Sequence, residues 1–188
     1  MESSFRRIFW GVLFIFFEFK IGTVDVFPNF LGAYLIYSGC NRLKDRENSF
    51  NKVINVAKVL IVFEVIEQLV VLEIPFTNNS PMGQSMIMTF SDFCLGIMLL
   101  YSLYYICKGI YNIAAENDFK LLMDKSSFRW KLKAYSFLLG QMFIPFVYNV
   151  ESSFVTIPIT ILIIIQFVSG ILILALINTA KKELVQFE

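Results

Sequence analysis

The chain has 188 residues, of which 57% are apolar and 16% charged, with 21 phenylalanines, no histidine, and 16 basic against 15 acidic groups. A soluble domain carries roughly 25% charged residues, so this composition disfavours a soluble domain, a disordered chain, a basic nucleic-acid binder and a disulfide-rich secreted scaffold. A mean hydropathy of +0.67 points instead to an integral membrane protein.

A bilayer core about 30 Å thick needs roughly 20 helical residues, and six stretches answer to that pattern. Residues 5–21 form an apolar run opened by Arg6 and Arg7 and closed by Gly22, which suits a left-handed cap. Residues 28–41 follow a short turn, with Pro28 at the helix start, where its missing N–H costs nothing. This second stretch is short enough to be either a full span or a re-entrant helix. Residues 53–74, 84–108, 133–150 and 154–178 complete the set. The one long connection, residues 108–133, mixes aromatic and aliphatic residues with Lys120, Lys125, Arg129 and Lys131, which predicts a helix lying in the inner headgroup layer.

Cytoplasmic segments retain lysine and arginine. With the N-terminus inside, every basic residue except Lys20 falls on the inner side. The fold class read from the sequence is therefore all-α: one polytopic membrane domain over residues 1–188, with about six transmembrane helices, the first two short, and both termini cytoplasmic. The expected location is a bacterial cell membrane, and the lipid bilayer is the first partner.

The missing histidine removes Ser-His-Asp and Cys-His chemistry and imidazole metal ligation. Cys40, Cys94 and Cys107 are too far apart for a Cys-x-x-Cys site. No cofactor or metal motif is present, and an enzyme would have to work with carboxyl groups alone.

The third span carries Glu64, Glu67 and Gln68 at i, i+3 and i+4, on one helix face. Its Val, Ile, Leu and Phe residues contribute roughly −6 kcal/mol to insertion, and two acidic groups at about +3 kcal/mol each nearly cancel that gain. Such a helix turns its acidic face away from lipid. Asp92 in the fourth span lies at a similar depth to Glu67. Glu64, Glu67, Gln68 and Asp92 together form a candidate site for a cation, a proton or a small solute, which Glu18 and Gln141 could join from neighbouring helices; protonated carboxyls bonded to neighbouring helices are the structural alternative. A second constellation, Glu18, Lys20 and Asp25, stands at the turn between the first two helices, where Lys20 and Asp25 are placed to pair across an outer rim.

The run Asp25-Val26-Phe27-Pro28-Asn29-Phe30-Leu31-Gly32, followed by Gly39-Cys40-Asn41-Arg42-Leu43, resembles a segment of small bacterial multi-pass membrane proteins. Their pattern reads Asp-x-x-Pro-[Asp/Asn]-Phe-x-Gly between the first two helices, with aspartate the usual residue where this chain has Asn29. The resemblance covers about the first 45 residues and implies a membrane fold without an activity. In size and span number the chain is also similar to the substrate-capture subunits of energy-coupling-factor transporters, although its first helix lacks their Ala-x-x-x-Ala patch. Quorum-peptide processing endopeptidases are similar in the same two respects but require a histidine.

Two functions follow from different premises. One is a non-enzymatic, transport-type protein with an intramembrane carboxylate site. The other is an immunity, assembly or regulatory subunit acting through helix contacts with a membrane-protein partner or a second copy of itself. Nucleic acid is not an expected partner.

Overall fold

The computed structural model describes the backbone of residues 1–17, 20–21, 24–25, 29–73, 81–149 and 152–184, with side chains described in 1–17, 29–66, 90–143 and 156–184. Six helices follow one another: α1 (Glu2–Phe16), α2 (Asn29–Leu43), α3 (Ser49–Glu73), α4 (Pro81–Glu116), α5 (Lys120–Asn149) and α6 (Ser152–Glu183). Between α1 and α2 lies a minimal antiparallel hairpin, β1 (Lys20–Ile21) and β2 (Val24–Asp25), in which Lys20 faces Asp25. Each helix packs against the next in chain order, and α6 packs against α1. Cross-contacts such as Phe50 with Gly109, Ser126 with Cys107 and Arg129 with Leu172 show that neighbours run antiparallel. The helices thus form a closed ring.

The helices match the expected stretches, mostly with longer ends. One expectation fails: residues 108–133 do not form a separate surface helix. Instead α4 runs on to Glu116 and α5 starts at Lys120, so the segment is a tight hairpin between two long helices. Asp118 makes the turn with φ 58°, while Phe119 N–H donates to Ala114 O (2.9 Å) and Asp118 N–H to Ala115 O (3.3 Å). These two bonds satisfy the last carbonyls of α4 in the manner of a Schellman cap, usually built on glycine. Helical periodicity continues through the charged residues because the flanking chain can leave the apolar zone as helix.

Among the described residues two segments, Phe90–Glu116 and Thr156–Glu183, are long and apolar enough to cross a membrane. α1 and α2 have 15 residues each, or roughly 22 Å by helical rise. The described part of α3 carries Lys52, Lys58 and Glu64, and that of α5 is charged throughout its first turns. The outer surface of the bundle is strongly apolar: Ile157 is 68% exposed, Ile163 62% and Phe90 69%. Exposure on this scale exceeds what a soluble monomer presents.

The core occupies one end of the ring. Phe5, Ile8, Ile36, Leu43, Phe50, Val53, Ile106, Ile110, Ile173 and Ile177 are among its fully enclosed members. With Leu122 of α5 they come from the first turns of α1, α3 and α5 and the last turns of α2, α4 and α6, which antiparallel packing brings to the same end. That end also carries most of the lysine and arginine. α1 and α2 meet at glycines: a Cβ on Gly11 would lie 2.6 Å from Gly32 O, and one on Gly39 would lie 2.8 Å from Ser4 O. Small residues here let the two backbones touch.

The turn before α3 is fixed by Glu47, whose Oε1 accepts from Ser49 N (3.1 Å), Ser49 Oγ (2.7 Å) and, across the ring, Asn112 Nδ2 (2.9 Å). Partial burial raises its pKa, but the bonds from Ser49 and Asn112 and the nearby Lys108 outweigh this and hold the carboxyl below its ordinary range.

Two outcomes are expected. Gly11→Leu forces α1 and α2 apart and lowers stability by about 1–3 kcal/mol, read as a fall in the thermal midpoint in detergent. Because the folded Glu47 pKa is depressed, its stabilisation is complete above the unfolded value of about 4.3 and is lost as pH falls through the folded value. Thermal scans against pH should therefore show wild type above Glu47→Gln at neutral pH, with the gap closing on acidification.

Candidate functional site

Beyond the core, burial stops at one level on all four long helices. Among the described residues, the last buried positions toward the far end are Leu60 on α3, Ser102 on α4, Ser136 on α5 and Ser169 on α6. That is also the level at which α1 ends, since Phe16 packs on Gly170 and Phe17 on Phe167. A ring of six helices becomes there an arrangement in which four continue.

The stripe that buries each helix does not stop at this level; its chemistry changes. On α3 the stripe runs Phe50, Val53, Ala57, Leu60. Glu64, about three turns beyond Val53, continues it and is half-buried. On α4 the stripe runs Ile110, Cys107, Leu103, and Asp92 stands about five turns from Ile110 in the same angular position. Asp92 is exposed there, in the angular position that Ile110 buries at the basic end.

The register aligns these residues. Phe50 against Gly109 on α3 and α4, and Phe137 against Gly96 on α4 and α5, place Glu67, Asp92 and Gln141 at nearly the same height, with Glu64 about one turn nearer the core. Gln141 lines a cleft of about 190 Å³ between α5 and α6, together with Gly140, Phe143 and Gln166. The backbones of Glu67 and Gln68 belong to α3, but their side chains lie outside the described residues. Glu18 lies outside them altogether. Lys20 and Asp25 are brought opposite one another by the hairpin register, their side chains again not described.

One residue escaped the sequence reading. Lys133, counted there as an inner flank, is drawn into the ring: its Nζ lies 4.6 Å from the Phe16 ring centroid and 3.4 Å from Gln166 O. Around it Gln166 Nε2 donates to Ser136 O (3.2 Å), and Ser136 Oγ lies 3.3 Å from Ser169 Oγ. Gly140 makes room for the Gln166 amide, since a Cβ there would lie 2.5 Å from Nε2. The signal was present in the sequence: Leu122, Ser126, Arg129, Lys133 and Ser136 recur at helical spacing, which puts Lys133 on the buried stripe of α5. Along the axis it sits about 8 Å below Glu64 by helical rise.

On this register the acidic and amide groups of α3, α4 and α5 stand at neighbouring levels along the bundle, with the Lys133 ammonium nearer the core. Among the described residues no group of three or more acidic or sulfur ligands converges as a metal centre would. Comparison with protein-family models, with curated proteins and with solved structures gave no match.

If Asp92 faces an open chamber and Leu103 a sealed core, single cysteines at the two positions should differ in a background with Cys40, Cys94 and Cys107 replaced by alanine. Asp92→Cys is expected to react readily with a water-soluble maleimide and Leu103→Cys to stay protected until the protein unfolds. Equal labelling of the two would contradict the open chamber.

Proposed function

We propose that the chain is a six-span membrane protein of transport type, with both termini on the cytoplasmic side, that binds a cation, a proton or a small cationic solute at Glu64 and Asp92. Glu67 and Gln68 contribute from the next turn of α3. The observation that carries this reading is the change of the buried stripes of α3 and α4 from apolar to acidic at the level where the ring loses two helices. A half-buried carboxylate at mid-span costs several kcal/mol unless it is paired or solvated, which favours an interior position for the acidic face of α3. The basic, close-packed end lies toward the cytoplasm by the distribution of lysine and arginine, so the chamber opens outward.

The test is reconstitution of the full chain in vesicles with an internal pH-sensitive dye. Addition of sodium, potassium or an organic ammonium ion in turn is expected to produce proton movement with at least one of them. Glu64→Gln combined with Asp92→Asn is expected to abolish it, while Glu116→Gln, at the far end of α4, leaves it unchanged. An acidic pair that can be removed without effect on any cation-driven flux would sink the proposal and favour a role through helix contacts.

A further inference from the structure

A second cleft, also about 190 Å³, opens between α4 and α5 near the basic end, lined by Tyr104, Lys108, Tyr111, Asn112, Ser127 and Trp130 among others. Its walls are aromatic: the Tyr104 and Trp130 rings lie 4.7 Å apart, and Lys108 Nζ stands 5.9 Å from the Tyr104 centroid. Donors are left over in it. Among the described residues Lys108 Nζ, Tyr111 Oη and Ser127 Oγ make no hydrogen bond to protein, whereas Ser126 Oγ is committed to Cys107 O (2.6 Å). Glu47, whose carboxylate feels the Lys108 charge, already accepts from Ser49 and Asn112. A cation beside two free hydroxyls, with no carboxylate in the lining, describes a place for an oxyanion.

The cleft continues as a track along the helix. Tyr111 and Tyr104 belong to a seven-residue series on α4 that goes on through Ile97 and Phe90, which are 45% and 69% exposed. A seven-residue step returns to nearly the same helix face. A polar, cationic head therefore leads into an apolar strip running toward the middle of the bundle, with Leu138, 52% exposed, on α5 beside it.

We propose that this groove binds an anionic phospholipid, its headgroup phosphate held by Lys108, Tyr111 and Ser127 and its acyl chains laid along Ile97 and Phe90. Free phosphate would use the head of the groove and leave the apolar strip without a role, so the amphiphile is the occupant that accounts for both parts. The site is independent of the carboxylates in the interior chamber and rests only on the bundle lying in a bilayer with its basic end at the inner headgroups, where Tyr, Trp and Lys gather.

Trp130 supplies the readout. In a Trp10→Phe background the full chain has one tryptophan, and its fluorescence is quenched by brominated lipid in the groove. In mixed vesicles, brominated phosphatidylglycerol is expected to quench more strongly than brominated phosphatidylcholine at equal fraction, with a preference of about fivefold, the ratio one lysine beside an anionic phosphate supplies. Lys108→Gln is expected to bring that preference close to unity, Lys108→Arg to keep it, and Lys182→Gln, on α6, to leave it unchanged. Equal quenching by the two lipids in wild type would overturn the site while leaving the membrane spans in place. A chain that fails to enter vesicles overturns both. Inorganic phosphate that protects Trp130 against the anionic lipid identifies a free-anion site and likewise overturns the lipid proposal.

Discussion

The structure depends on the seam between α1 and α6. An even number of helices in alternating direction can close on itself in chain order only if the last meets the first, and here the meeting is made by shape. Phe16 fills the space left by Gly170, Phe17 meets Phe167 edge-on with centroids 5.5 Å apart, and Lys181 reaches Glu2 at 3.7 Å. The last of these pairs is exposed and adds little; the aromatic contacts and the enclosed Ile173 and Ile177 carry the seam. Because α1 is only 15 residues long, closure extends over only part of the height of α3 to α6. The position of the core follows from that one length.

The seams around the ring are held by different means. α1 and α2 approach through Gly11, Gly32 and Gly39, so that dispersion between backbones replaces side-chain interlocking. α5 and α6 are joined by polar groups instead: Arg129 donates to Leu172 O at 2.9 Å, Gln166 to Ser136 O, and the two serines face each other. Such bonds are worth about 0.6–2 kcal/mol each in an apolar setting. They also fix register, because a slip of one residue would leave several donors unpaired. A glycine seam resists separation but is tolerant of small slides, whereas a hydrogen-bonded seam is selective for one alignment. Polar bonding is thus concentrated on the side of the ring that contributes Lys133.

Much of the helical layout was legible in the residues. Runs of apolar residues broken at Gly22 and Pro28 marked the first elements, and the shortness of the first two was visible in their length. The i, i+3, i+4 spacing of Glu64, Glu67 and Gln68 gave a face, and the burial stripes of the structure give that face a direction for Glu64. What could not be read was which neighbours the stripes meet. Lysine at a helix flank and lysine inside a ring have the same local sequence, and only the docking of α1 onto α6 puts the Phe16 ring beside Lys133. The hairpin at residues 117–119 was missed for a related reason. Aromatic and basic residues in mixture satisfy the composition of a surface helix, while the deciding feature was the left-handed turn at Asp118, a conformation that aspartate adopts less often than glycine or asparagine.

On the transport reading, Lys133 determines where motion must occur. A cation admitted to Glu64 and Asp92 finds a fixed ammonium about 8 Å below along the axis by helical rise, and beneath that a core without open space. The first of these barriers lies on α5, whereas the second includes core residues of α3 and α4 themselves, such as Val53 and Ile106. Lys133 is held from two other helices, by the carbonyl of Gln166 on α6 and the ring of Phe16 on α1. Displacing it means breaking the polar alignment of α5 with α6, whereas the glycine seam of α1 with α2 can slide at lower cost. On that reading the acids belong to α3 and α4, while the contacts of Lys133 tie α5 to α6 and α1.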